Sequence, residues 1–257
     1  MASTAFSLSD KVALVVGAGQ PIGRAVAIAL AEAGAHVALT TTLKTKQDIA
    51  AAHACMNDIL THHRESRVHS IDVTNEQDMQ TAIQQTVTQH GRLDILVNAP
   101  DLPFAKPLPD IALGEWQRVL AVNLTSVYLA CQAAARPMLA QKKGRIINVV
   151  SLLGERGMTN GSAYCAAQAG VLNLTRALAL EWARSGITAN AIGAGWTEGM
   201  GMLADETLRQ QLVRYLPTKR LAQPYEIGEA VVYLASDTTD FLTGQILWID
   251  GGALSRL

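Results

Sequence analysis

The sequence predicts one α/β domain, residues 1–257, built as a doubly wound parallel sheet. Three observations lead there. Short apolar runs alternate with longer helical patterns almost from end to end. The runs are near-continuously apolar, as strands are when helices cover both faces of a sheet. No linker, repeat or low-complexity tract interrupts the 257 residues, and a chain of that length buries about three quarters of its unfolded surface.

Each element follows in order. Lys11–Val16 is the first strand, and a Gly-rich turn leads from it into an Ala-rich helix over Ile22–Ala33. His36–Thr40 and Val68–Ile71 are the next strands, followed by a helix over Gln77–Gln89. Leu93–Val97 and Arg145–Val150 flank a helix over Trp116–Leu139. Ala163–Arg184 is helical, Thr188–Ile192 is a strand, Pro224–Ala235 is helical and Ile246–Ile249 closes the sheet. Right-handed crossovers then give a Rossmann-type sandwich. Its ligands belong at the carboxyl ends of the strands, where strand order reverses.

Composition narrows the function. With 49% apolar residues, 17% charged residues and a net charge of −1, the chain is neither disordered nor globally attractive to nucleic acid. No apolar run reaches the ~20 residues of a membrane span. The first ten residues carry no secretory pattern. Cys55, Cys131 and Cys165 cannot all pair with one another and lack ligand spacing, so a reduced, cytoplasmic setting is expected. His53, His62, His63 and His69 cluster without acidic or Cys partners; a solvated helix end is expected, not a metal site.

The turn Gly17-Ala18-Gly19-Gln20-Pro21-Ile22-Gly23 has the form of a pyrophosphate cradle. Its glycines let the backbone approach the anion while helix-start N–H groups face it. A plain strand-to-helix turn is the alternative. The rest of the chain speaks for the cradle. Asp72-Val73, Asp94 to Asn98, Val122-Asn123-Leu124, Ile147 to Ser151, Ser162-Ala163-Tyr164, Ala169-Gly170-Val171 and Leu242 to Gly252 follow in order. On these motifs Lys11–Gly252 resembles a short-chain dehydrogenase/reductase of the 250-residue type, similar to the 3-oxoacyl-carrier-protein reductases.

The resemblance implies a nicotinamide cofactor. It puts the pyrophosphate on Gly17, Gly19, Gln20, Ile22 and Gly23, adenine beside Asp72 and Val73, and the adenosine ribose along Asn98 and Ala99. The nicotinamide amide would meet Gly195 to Thr197. Asp72 reads alternatively as a helix cap, and Asn98 as a polar strand end. After the second strand, Thr40, Thr41 and Thr42 precede Lys44 and Lys46, with no carboxylate at the expected place to repel a 2′-phosphate. NADP is therefore expected ahead of NAD.

By the same resemblance Tyr164 protonates the substrate oxygen, Ser151 orients it and Asn123 holds a relay water. The family lysine that binds the nicotinamide ribose and lowers the tyrosine pKa is here Gln168, four residues after Tyr164 on one helical face. A cation within ~4–6 Å lowers a tyrosine from ~10 by roughly 1–3 units, and glutamine supplies none. Arg156 is a candidate substitute. Pro21, Pro100-Asp101, Ala194 and Gly199 also depart from the family around the same cleft, with Asp101 expected near the ribose. Met200, Met202 and Leu203 fall in a segment, 199–215, read as a substrate lid or as an exposed apolar helix.

The expected function is hydride transfer between NADP(H) or NAD(H) and a small carbonyl or alcohol, without nucleic-acid or membrane partners. Two alternatives remain: dehalogenase-like chemistry on the same fold, or a non-catalytic scaffold subunit. A homotetramer is expected from the family-like run Gly244–Gly252 and from the Ala-rich helix face of Ala166, Ala167 and Ala177.

Overall fold

The computed structural model describes residues 6–200 and 205–255. The chain runs β1 (Val12–Val16), α1 (Pro21–Glu32), β2 (His36–Thr40), α2 (Lys46–Thr61), β3 (Ser66–His69), α3 (Glu76–His90) and β4 (Ile95–Asn98). It continues with α4 (Leu113–Leu120), α5 (Ser126–Gln141), β5 (Gly144–Ser151), α6 (Ser162–Trp182), β6 (Ile187–Ala194), α7 (Glu206–Tyr215), α8 (Pro224–Ala235) and β7 (Ile246–Ile249). All seven strands are parallel, in the order β3-β2-β1-β4-β5-β6-β7. Strand order reverses between β1 and β4, where ligands of open α/β sheets bind.

Side chains alternate across the strands and build a core on each face. Leu14, Val16, Leu96 and Ile146 pack with residues of α3, α5 and α6. Ala13, Val15, Ile95 and Val97 pack with Val26, Leu30 and Val231 of α1 and α8. The expected doubly wound fold is the observed one.

Several boundaries differ from expectation. β3 begins two residues earlier than the apolar run Val68–Ile71, because this edge strand is only partly buried and its residues need not be apolar. The expected helix over Trp116–Leu139 is α4 and α5 joined by a π-helical turn, Ala121–Thr125, which carries Asn123. α2 has only three buried residues, Ala52, Cys55 and Ile59, too few to mark it in the sequence, while α7 lies within the segment 199–215 read as a lid or an exposed helix.

His69 is not on a solvated helix end. It lies on β3, buried, with Nδ1 3.1 Å from Gln85 Oε1 and Nε2 3.2 Å from the Thr86 hydroxyl. Burial lowers its pKa. Among the described residues no group of three His, Cys, Asp or Glu is placed to hold a metal. Ala167 faces the core and not a neighbour, while Ala166 and Ala177 are exposed as expected. No helix of the described residues is long and apolar enough to cross a membrane.

Candidate active site

A cleft of about 240 Å³ opens at the carboxyl ends of the central strands. Its walls come from the β1–α1 turn (Gln20, Pro21, Ile22), from 99–103 after β4, from the end of β5 with Ser151, from Tyr164 and Gln168 on α6, and from Ala194, Gly199 and Met200.

The first crossover is tight. Gly17 has φ +83°, and a Cβ there would stand 2.7 Å from the Ala99 carbonyl oxygen. A Cβ on Gly23 would collide with the Gly17 carbonyl, so α1 starts hard against the turn. Gly19 leaves room for a different neighbour, the Asp48 carboxylate, which a Cβ would strike.

Asp48 overturns one expectation. No acid stands at the end of β2 in the sequence, but the first turn of α2 returns one to that place. Asp48 Oδ2 accepts the N–H groups of Thr42 and Leu43 at 2.5 and 2.8 Å. Its Oδ1 is buried with no partner among the described residues, as is the Thr42 hydroxyl. The other hydroxyls are committed inward. Thr40 Oγ1 accepts from Gly17 N and donates to Thr41 O, and Thr41 Oγ1 bonds both the N–H and the C=O of Ile71. Thr41 Oγ1 is thus committed to Ile71. Lys44 lies 3.8 Å from Asp78.

The remaining expected contacts divide. Ala99 lines the cleft, but Asn98 points into the sheet and donates to Asn148 Oδ1 at 2.8 Å. Asp72 accepts the Thr74 N–H and hydroxyl, the cap-like alternative, and Val73 is wholly buried. Gly195 packs against Asp250, where a Cβ would lie 2.7 Å from its Cα. Thr197 is buried with its hydroxyl on the Gly195 carbonyl. Ala194 and Gly199 line the cleft in their place.

At the reacting end Tyr164, Ser151 and Gln168 converge. The Ser151 hydroxyl accepts the Leu153 N–H at 3.2 Å and lies near enough to Tyr164 to lower its pKa. Gln168 is buried, and its Oε1 accepts the Ser151 N–H at 2.9 Å. Asp101 lines the same cleft as Ala99. Its Oδ1 accepts the Tyr164 hydroxyl at 2.7 Å. Burial is the largest cause that raises the Tyr164 pKa well above its ordinary value, and the Asp101 charge adds to it. Asp101 is itself raised, by burial, against the lowering effect of the Tyr164 hydrogen bond.

Asn123 is spoken for by protein. Its Oδ1 accepts the Leu102 N–H at 2.9 Å, and its Nδ2 donates to the carbonyls of Leu102 and Val119, both at 3.0 Å. Arg156 does not supply the missing cation; it is exposed, bonds the Tyr215 hydroxyl at 2.6 Å and lies over that ring. Met200 lines the cleft, whereas Met202 and Leu203 fall outside the described residues. Sequence reasoning missed Asp48 altogether and did not foresee the Asp101–Tyr164 contact.

The chain is similar to proteins of one kind. A family model described as enoyl-(acyl carrier protein) reductase matches residues 17–253. Cis-4-hydroxycyclohexanecarboxylate dehydrogenase of Sinomonas cyclohexanicum is 39% identical, over 96% of this chain and 97% of that one. The structure of an NAD+-bound xylitol dehydrogenase superposes with a TM-score of 0.88 at 30% identity, covering 95% of this chain and 99% of the other. A Beutenbergia cavernae protein solved with NADP at low occupancy superposes with a TM-score of 0.90 at 32% identity, covering 98% and 100%.

Pro21 stands at the first position of α1 and removes an N–H from the end that would face a pyrophosphate. Pro21→Gly is expected to tighten nicotinamide nucleotide binding by about 1–2 kcal/mol, roughly 5- to 30-fold in Kd. Calorimetric titration checks this, and unchanged or weaker binding refutes it.

Proposed function

The chain belongs to the short-chain dehydrogenase/reductase family of oxidoreductases, and on that premise we propose that it moves a hydride between NAD(H) and a neutral, apolar secondary alcohol or its ketone. The observation that carries this reading is the hydroxyl pair of Tyr164 and Ser151 in one cleft with the glycine-lined crossover. When bound, the nicotinamide gives or takes the hydride. Tyr164 Oη moves the proton at the substrate oxygen, and the Ser151 hydroxyl orients that oxygen. Gly17, Gly19, Gln20, Ile22 and Gly23 would hold the pyrophosphate, and Ala99 the nearby ribose.

The residues fit such a dinucleotide. Gly17, Gly19 and Gly23 put no Cβ into the cradle, and the unpartnered Asp48 Oδ1 lies beside Gly19 at the end of β2. A carboxylate with a spare oxygen accepts ribose hydroxyls and repels a 2′-phosphate. This favours NAD over NADP, the reverse of the expectation drawn from the threonines and lysines. Gln168 is close enough to serve a ribose hydroxyl through its Nε2, since it lines the cleft.

The substrate class rests on the cleft wall. Pro100, Leu102, Pro103, Val149, Val150 and Met200 are apolar, and no Lys or Arg is among the described lining residues. A carboxylate such as the Sinomonas name implies has no counter-charge here. The absence of a lining Arg likewise gives the dehalogenase-like alternative no support. A homotetramer is part of the proposal: Ala166 and Ala177 leave a shallow face on α6, where Leu180 is 84% exposed, and Leu247 on edge strand β7 is 38% exposed.

Three experiments test the proposal. Tyr164→Phe is expected to cut the oxidation of cyclohexanol or a related alicyclic alcohol by about 100-fold or more, with NADH affinity held within about twofold. Equal activity of the two proteins removes Tyr164 from the chemistry. Asp48→Asn is expected to raise the NADPH:NADH affinity ratio by about tenfold, 1.4 kcal/mol; a constant ratio, read by the same titrations, refutes the role of Asp48. Sedimentation at micromolar concentration is expected to give a species about four times the 27.4 kDa chain, and a monomer alone contradicts it.

A further inference from the structure

The reacting end of the cleft holds an anion where a cation was expected. Tyr164 donates to Asp101 Oδ1 at 2.7 Å, and that contact is held by design of the surrounding chain. Pro100 and Pro103 bracket Asp101-Leu102 and fix φ on either side. Asn123, in the π-helical turn, grips both the N–H and the C=O of Leu102. The π turn thus spends its one buried amide on fixing the residue next to Asp101.

We propose that Asp101 is the proton-relay partner of Tyr164, with Asn123 as the positioning residue that holds its loop. The inference rests on the hydride-transfer reading above and deepens it. A phenol near ~10 is a poor base at neutral pH, and the burial and negative neighbour of Tyr164 make its anion costlier still. A relay avoids that anion. In alcohol oxidation the substrate hydroxyl proton passes to Tyr164 Oη as the Tyr164 proton passes to Asp101 Oδ1. The hydride leaves the carbinol carbon for the oxidised nicotinamide, and the C–O single bond becomes C=O. Asp101 then releases its proton to water, so one alcohol yields one ketone, one reduced nicotinamide and one proton. Reduction runs the same steps backward from protonated Asp101.

The surroundings leave Asp101 free for this work. Among the described residues, Tyr164 is the ionisable group whose hydrogen bond acts on the Asp101 carboxyl, and Cys165 adds to the raising of Tyr164. Charged groups on neighbouring segments are engaged with one another: Lys106 with Glu115 at 2.7 Å, Arg209 with Glu198 at 2.5 Å, and Arg156 with Tyr215. Burial lifts the Asp101 carboxyl above the ordinary carboxylate value of ~4. The sign follows. Oxidation should rise as pH climbs through the Asp101 pKa, and reduction should fall through the same range.

Asp101→Asn preserves shape and still accepts the Tyr164 hydrogen bond, so it separates charge from packing; Asp101→Glu restores the charge. The first measurement needs no substrate. Ultraviolet titration of tyrosine ionisation, with the Tyr164→Phe signal subtracted, should put Tyr164 at least about one unit lower in Asp101→Asn than in the native protein. The second is the pH profile of cyclohexanol oxidation with NAD+. Asp101→Asn should lose about 100-fold in kcat together with the acidic limb of the profile, and Asp101→Glu should regain that limb. An unchanged Tyr164 titration overturns the proposal, and so does a shifted titration with rate and acidic limb intact. If the native protein binds NADH yet oxidises no alcohol, the hydride reading fails, while the titration still decides whether Asp101 and Tyr164 are coupled.

Discussion

The site depends on how closely the backbone is allowed to pass itself at the first crossover. Gly17 lies against the Ala99 carbonyl, and Gly23 lies against the Gly17 carbonyl. A single methyl group at either place would push α1 off the sheet or push the chain after β4 outward. The second displacement would carry Pro100 and Asp101 with it. Contact between Asp101 and Tyr164, some sixty residues along the chain, is therefore set partly by the lack of a side chain at residue 17. The pairing of β1 with β4, Val16 opposite Asn98, completes the same joint.

From that joint the cleft acquires an unusual charge pattern. One carboxylate, Asp48, stands at the end of β2 beside the first crossover and another, Asp101, against Tyr164 in the cleft, and no lysine or arginine is among the described lining residues. A dinucleotide must then be held by backbone N–H groups and the start of α1 more than by side-chain charge. Pro21 reduces even that supply. In the reading proposed above, the two carboxylates would act on different things: the first on which hydroxyls a ribose presents, the second on where a proton rests.

The sequence disclosed the fold better than the site, for physical reasons. β1, and β2 after His36, are continuous apolar or β-branched runs, and they were readable because burial on both faces leaves little choice of residue; β7, a half-buried edge, was readable from its apolar run Ile246–Ile249 alone. β3 is a partly buried edge, so Ser66 and Arg67 are tolerated there and the apolar run misled by two residues. The π turn at Asn123 has no compositional mark. Ser151, Tyr164 and Gln168 were legible because one strand end and one helix face bring them together. Asp48 was not, since its oxygen reaches Thr42 and Leu43 only after α2 has turned back on the end of β2. Asp101 was noticed, but its bond to Tyr164 was not foreseen, because the direction of a loop side chain is set by the residues that hold the loop and not by spacing.

The bond from the Ser151 N–H to Gln168 Oε1 bears on the history such a site can have. A lysine at residue 168 is all donor and would leave that N–H without its acceptor in a buried place, a loss of about 1–3 kcal/mol. It would also bring an ammonium into a cleft already arranged around a carboxylate on Tyr164. Residues 101, 151 and 168 are in this sense one coupled unit, and a change at any of them is judged by the other two. A site with lysine at 168 and this one are therefore separated by paired substitutions more than by a single one.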